Sequence, residues 1–261
     1  MTIPVLMYHA ITKQKTSNKY FLDESTFSQQ LEVLKAKQYS CILIEDNYRS
    51  YLECQVQGPE KKVAITFDDG NESDYSLALP LLKKADLKAT FFITTDFINK
   101  EGYMNERQIQ QLRKEGMSVQ SHAKSHSFLN TLALKELNDE LSTSKKVLED
   151  IISERVSFIS FPGGRFNRDV LACAHNNGYD ASFCSIPFAL KKINETYLVG
   201  RYGIKQTLDL KKFEEIVQQE MIVKYLSVAE YYGKNILKKI LGNNVYHYLW
   251  TELYEKANRA H

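Results

Sequence analysis

Short apolar runs alternate along this chain with segments whose apolar residues recur every three or four positions. That alternation limits the fold more than any other feature. Ile3–Tyr8, Tyr39–Ile44, Lys62–Phe67, Lys88–Ile93, Ser118–Ser121, Ser157–Phe161, Ala181–Cys184 and Leu198–Tyr202 read as strands. Between them, Phe27, Leu31 and Leu34 fall at helical spacing, as do Leu77, Leu81 and Ala85. Leu132–Ile152 reads as one long helix with Leu134, Leu137, Leu141 and Leu148 inward. Repeated strand–helix units imply an α/β fold with a mostly parallel sheet, either a closed barrel or an open doubly wound sheet. The 261 residues suffice for one large domain with a full core, and no repeat, low-complexity tract or long linker divides them.

The chemistry gathers at strand ends. The apolar run Val63-Ala64-Ile65 leads into Thr66-Phe67-Asp68-Asp69-Gly70. Neighbouring side chains on an extended chain point to opposite faces, so both carboxylates can serve one site only where the strand turns into a loop. Gly70 supplies that turn. Later comes Ser121-His122-Ala123-Lys124-Ser125-His126, again after an apolar-rich segment. Two histidines four apart meet on one face if the backbone coils by one turn. One Asp with two His and an open position is a recurrent ligand set for a catalytic divalent metal. The other carboxylate is then free to act on water there. In a barrel, residues that follow strands gather at the C-terminal rim.

Composition excludes more than it selects. The net charge of +2, with no run of five like charges, does not favour nucleic acid. No stretch approaches the roughly twenty apolar residues of a membrane span. Met1–His9 lacks a basic region followed by a long apolar stretch and reads as a strand rather than a signal peptide. The four cysteines, Cys41, Cys54, Cys173 and Cys184, show no paired spacing and are expected as reduced thiols. The expectation is a cytoplasmic protein acting on an intracellular precursor.

These motifs, in this order, resemble the polysaccharide deacetylase family, also called the NodB-homology or carbohydrate esterase 4 family. Besides the two segments above, the marks are Pro4-Val5-Leu6-Met7-Tyr8-His9, Lys88-Ala89-Thr90-Phe91-Phe92-Ile93, Phe161-Pro162-Gly163-Gly164-Arg165-Phe166-Asn167 and Arg201-Tyr202-Gly203-Ile204. The resemblance runs from about residue 3 to 220. It implies a distorted, NodB-like (β/α) barrel of about seven strands over residues 1–222, followed by a C-terminal helical extension over 223–261. It implies hydrolytic removal of an N-acetyl group from an N-acetylated sugar in a glycan, polysaccharide or glycoconjugate. One divalent metal, zinc or another first-row ion, is implied at Asp69, His122 and His126. Asp68 is implied as the general base.

Departures from the family pattern matter. Ala123 replaces the Ser or Thr that braces the metal loop, and Ser127 replaces a Pro. Ser160 stands where the family has an Arg beside the base; either Arg165 reaches the site from the loop in its place, with backbone N–H groups around Gly163 as oxyanion donors, or the segment is only a tight turn before the helix starting near Asn167. The family's late Leu-x-His, which carries the general acid, is absent; His175, His247 and His261 do not stand in that setting. His9 resembles the acid of members with permuted motif order. Arg201 is expected either to contact substrate or base, or to close the barrel. Tyr8 and His175 read as structural.

Two other readings stay open: a degenerate member that binds glycan without turnover, and a barrel metallohydrolase with a different substrate. The C-terminal stretch carries Ile236, Leu237, Ile240 and Leu241, flanked by Lys234, Lys238 and Lys239 and followed by Tyr246, Tyr248, Trp250 and Tyr254. It suggests peripheral membrane contact or packing on the barrel or a partner.

Overall fold

The computed structural model describes residues 3–45, 61–187, 190–193, 196–220 and 226–233. Contacts divide the chain into one unit over 1–219 and a second over 220–261. In the second, residues 226–233 are helical. The apolar and aromatic tail residues expected to meet a membrane or partner lie outside the described residues, as does Cys54. Among the described residues no helix is long and apolar enough to cross a membrane, and Cys41, Cys173 and Cys184 are free thiols.

The first unit is a closed barrel. Its strands are β1 (Val5–Tyr8), β5 (Lys61–Phe67), β6 (Thr90–Ile93), β7 (Ser118–Ser121), β8 (Phe158–Ser160) and β9 (Ala181–Cys184), and each pairs in parallel with the next. The seventh is split. Its first half, β11 (Thr196–Gly200), pairs with β9 and its second half, β12 (Tyr202–Gly203), pairs with β1. The residue between them, Arg201, donates its N–H to Cys184 O at 3.1 Å, and the Ile204 N–H reaches Met7 O at 2.9 Å. One bent strand therefore closes the barrel, and Arg201 sits at the bend.

Four short strands lie outside the ring. β2 (Ile11–Thr12) pairs with β3 (Leu22–Asp23), and β10 (Leu190–Ile193) is an antiparallel edge on β11. β4 (Tyr39–Cys41) pairs with the first half of β5, while β6 pairs with the second half. Cys41 Sγ donates to Lys88 O at 2.8 Å, so β4 reaches the residues just before β6 and distorts the ring at its base. The expected strand Tyr39–Ile44 therefore stops at Cys41.

The strands read as near-continuous apolar runs because helices cover the outside and side chains fill the inside. Ile3, Val5, Ala64, Phe92, Phe158, Ala181, Phe183 and Val199 pack together as the core. Outside, α1 (Glu24–Ala36) is capped by Asp23, which accepts from Thr26 N–H at 3.0 Å, and it buries Phe27, Leu31 and Leu34 as expected. α2 (Leu79–Ala85) does not follow the expected face. A wide turn over Asp74–Ala78 precedes it and inserts one residue into the period, so Ala78, Leu79 and Leu82 are buried instead of Leu77, Leu81 and Ala85. α3 (Glu106–Lys114), α5 (Arg168–Asn176) and α6 (Leu210–Val217) are each capped by an Asn or Asp side chain. α4 (Leu134–Ile152) buries Leu137, Leu141 and Leu148, but Leu134 at its first turn is 67% exposed.

Candidate metal centre

Strand alternation decides which side chains enter the barrel mouth. Ala64, Phe158 and Val199 belong to the interior core. Two residues further on, the same faces carry Thr66, Ser160 and Arg201, and a further step along β5 carries Asp68. These four meet. Arg201 Nη1 donates to Asp68 Oδ1 at 2.6 Å and Arg201 Nη2 to Asp68 Oδ2 at 2.7 Å. Nη1 also reaches Thr66 Oγ1 at 3.2 Å and Nη2 reaches Ser160 Oγ at 2.7 Å. The guanidinium lies over the Phe92 ring at 5.2 Å. Arg201 is 1% exposed and Asp68 2%. A planar fork on a carboxylate is the strongest way to hold such a charge out of water.

Asp69 leaves the alternation. Its φ is +79° and that of Gly70 is +86°, so the chain turns sharply at the strand end. A Cβ on Gly70 would stand 3.2 Å from Ile93, which leaves little room for a larger residue. The turn swings Asp69 to the same side as the histidines. Asp69 Oδ1 lies 3.4 Å from His122 Nε2 and 3.3 Å from His126 Nε2. Ala123 and His126 also have positive φ, +62° and +66°. Three non-glycine residues in that region cost on the order of 1 kcal/mol or more each, strain of a kind that concentrates at functional sites.

The donor set fits a divalent metal. One carboxylate oxygen and two imidazole nitrogens converge within 4.8 Å of one another. Asp69 Oδ1 is buried and has no hydrogen-bond partner. His122 Nδ1 lies 2.8 Å from Ser160 O, a bond that needs the proton on Nδ1 and leaves the Nε2 lone pair facing Asp69. Nitrogen and oxygen donors of this kind suit zinc and its first-row neighbours.

Charge separates the two carboxylates. Burial pushes Asp68 up, but the Arg201 charge, then His122 and the Arg201 hydrogen bonds, outweigh it and hold it below the usual carboxylate range. Burial pushes Asp69 up as well, and the two imidazoles more than reverse it. Burial alone would lower His122, yet Asp68 and Asp69 raise it above an ordinary imidazole. His9 follows β1. Burial lowers its pKa, while Asp69 and Asp68 push the other way. Its Nδ1 is buried without a hydrogen-bond partner, and its ring packs at 5.1 Å on Tyr20.

The structure thus brings Asp68, Asp69, His122 and His126 to one mouth, with His9 in electrostatic reach of both carboxylates. Arg165 is a correction. Its guanidinium lies 4.0 Å over the Phe128 ring, and the brace on Asp68 is Arg201. The small Ser160 leaves the space the guanidinium occupies. Arg201 therefore both closes the barrel and holds the carboxylate, two roles that read as alternatives in the sequence. Gly163 lies in the tight turn after β8 with φ +62°, where a Cβ would meet Phe128 at 2.9 Å. Tyr8 donates to Gln30 Oε1 at 2.8 Å and is structural, and His175 is exposed on α5. Tyr20, which packs on His9, has no signature in the sequence. Its partner lies across a loop, and a lone Tyr carries no local signal.

Comparison with known proteins agrees with this geometry. The sequence model described as Polysaccharide deacetylase matches residues 55–182. YxkH of Bacillus subtilis, whose own description as a polysaccharide deacetylase is provisional, is 29% identical over 83% of this chain and 76% of that protein. The peptidoglycan-N-acetylglucosamine deacetylase of Bacillus cereus is 31% identical over 49% of this chain and 59% of that protein. The Streptococcus pyogenes deacetylase PplD, solved in complex with acetate, superposes with a TM-score of 0.76 at 27% identity, covering 84% of this chain and 97% of that one. His9 and Arg201 lie outside residues 55–182, so their part in the site rests on the barrel geometry. The fold, the strand-end motifs and these likenesses agree in making the chain similar to the polysaccharide deacetylases.

Proposed function

We propose that the chain is a metal-dependent N-deacetylase that hydrolyses the acetamide of an N-acetylated hexosamine in a glycan. The observation that carries this reading is the division of labour between neighbours. Asp69 faces two imidazoles, while Asp68 is forked to a buried arginine and stays ionised beside them. Asp69, His122 and His126 would hold zinc or a similar first-row ion. Such an ion supplies Lewis acidity to the acetyl carbonyl and to water.

The chain's own residues do the proton work. Asp68, fixed by Arg201, accepts the proton of the attacking water. The Gly163 N–H serves the developing oxyanion, the Gly164 and Arg165 N–H groups being used within the turn on Phe161 O and Pro162 O. His9 delivers a proton to the departing sugar nitrogen, and the products are acetate and a free amine. The enzymes named above for peptidoglycan N-acetylglucosamine and for acetate binding support an N-acetylated glycan as the substrate class.

The test is acetate release from N-acetylglucosamine oligomers of different linkage and from peptidoglycan fragments, with zinc, cobalt or nickel supplied. Metal-dependent acetate release with a matching gain in free amine is expected. Glycan binding without acetate release across that panel, in protein shown to hold metal, would instead favour the non-catalytic reading.

A further inference from the structure

We propose that Glu140 is the positioning residue that pre-forms the metal-binding loop, taking over the bracing that Ala123 cannot give. The inference rests on the metal reading of Asp69, His122 and His126.

The segment from His122 to His126 must hold two left-handed residues, Ala123 and His126, at its ends. Nothing in the local sequence enforces that shape, because neither is a glycine or an asparagine. The enforcement comes from α4. Glu140 lies on its inward face and is 8% exposed. Its Oε2 accepts the N–H of Lys124 and the N–H of Ser125, each at 2.9 Å. Its Oε1 accepts the Ser125 hydroxyl at 2.5 Å, and the Ser125 and Ser127 hydroxyls lie 2.7 Å apart. One carboxylate therefore gathers two consecutive backbone donors and a side chain from the middle of the loop.

One helical turn later, Ser144 continues the grip. Ser121 Oγ donates to Ser144 Oγ at 3.0 Å and accepts the Ala123 N–H at 3.1 Å. The opposite side of the loop is held mainly by backbone, with Thr95 N–H on Ala123 O at 3.2 Å and Asp96 N–H on Lys124 O at 2.8 Å, and by Thr94 Oγ1 donating to His122 O at 3.4 Å. Glu140 is the charged member of this clamp. Its charge-assisted bonds are the strong ones, and they act on the residues between the two histidines rather than on the histidines themselves. Partners one shell outside a metal set ligand orientation, and their loss weakens metal affinity by roughly 10–100-fold.

The experiment is metal affinity by competition with a chromophoric chelator, read beside amide hydrogen exchange at Lys124 and Ser125 in metal-free protein. Glu140→Ala is expected to weaken zinc binding by about 10–100-fold and to deprotect those two amides. Glu140→Gln, whose carbonyl oxygen can still accept both N–H groups, is expected to stay within about threefold of wild type. Glu149→Ala, on the same helix, should leave zinc affinity unchanged. If Glu140→Ala does not fold, Glu140→Asp, one methylene short of the loop, carries the same expectation. Wild-type zinc affinity in a folded Glu140→Ala or Glu140→Asp protein overturns the inference. Failure of the wild-type protein itself to bind zinc, cobalt or nickel would overturn the metal reading instead.

Discussion

Arg201 and Asp68 stand 133 residues apart in the chain and form a buried two-bond fork at 2.6 and 2.7 Å. The barrel closes at the residue that supplies the charge, so closing the fold and arming the carboxylate are one event. Removing one partner of a buried pair leaves an uncompensated charge, which costs about 3–5 kcal/mol. Arg201→Ala is therefore expected to unfold at much lower denaturant than wild type. Arg201→Lys should fold, but an ammonium cannot make the fork. Its acid limb of kcat/KM should move to higher pH, because burial then pushes Asp68 up with less to oppose it. An unmoved acid limb would show that Arg201 does not set the state of Asp68.

Asp68→Asn keeps the shape of the side chain and removes the base. Turnover of the acetylated glycan should fall by roughly 100-fold or more, while zinc affinity stays close to wild type. Activity near wild type would exclude Asp68 as the proton acceptor. Folding stability tests the same residue. Its depressed pKa contributes stability above the unfolded value near 3.9, which is lost as pH falls through the folded value. In Asp68→Asn that loss should be smaller.

His9→Ala should lower turnover on acetamides far more than on activated acetate esters, whose leaving groups need no proton. Burial holds the imidazole below its ordinary value of about 6.5, so the alkaline limb on amides should lie below that value and vanish in the variant. Equal losses on amide and ester would assign the acid role elsewhere.

Metal uptake should be linked to protons. Asp68 and Asp69 raise His122 despite its burial, so in metal-free protein the ring takes up a second proton at higher pH than an ordinary imidazole, and a metal must compete with that proton. Zinc affinity is expected to weaken as pH falls from about 8 to about 6, with proton release visible as a buffer-dependent heat in calorimetry. A flat affinity across that range would contradict the linkage.

Asp74 is fully buried. Its Oδ2 accepts the Asn71 N–H at 3.1 Å, and its Oδ1 has no partner. Burial, and then Asp69, raise its pKa well above the usual carboxylate range. The folded state therefore holds a proton that the unfolded chain gives up near pH 3.9, so this group's contribution falls as pH rises from there toward the folded value. Asp74→Asn keeps the acceptor for Asn71 and removes that slope. In chelator at pH 7 to 8, urea unfolding should show Asp74→Asn as stable as wild type or more so. A clearly destabilised variant would mean the carboxylate is held ionised.

The local part of this protein is legible in the sequence. Apolar runs become strands because their residues are buried on both faces, and helical spacing finds α1 and most of α4. The Asp68-Asp69-Gly70 turn and the His122/His126 pair carry their chemistry within a few residues, so spacing alone exposes them. The phase of α2 was not legible, because the wide turn at Asp74 depends on packing rather than on composition. Nor was the partner of Asp68. Arg201 and Arg165 both follow strands and both carry the right charge; only the register of the closing strand, with Val199 in the core and Arg201 two residues on, turns one guanidinium inward and leaves the other over Phe128. Glu140 is one of several acidic residues on α4, distinguished only by the loop that packs against it. The sequence by itself determined the fold class and the candidate metal-ligating segments, because alternation and short motifs act locally. Tertiary structure decided what braces them, because a brace is made by residues far apart in the chain that meet only when the barrel closes.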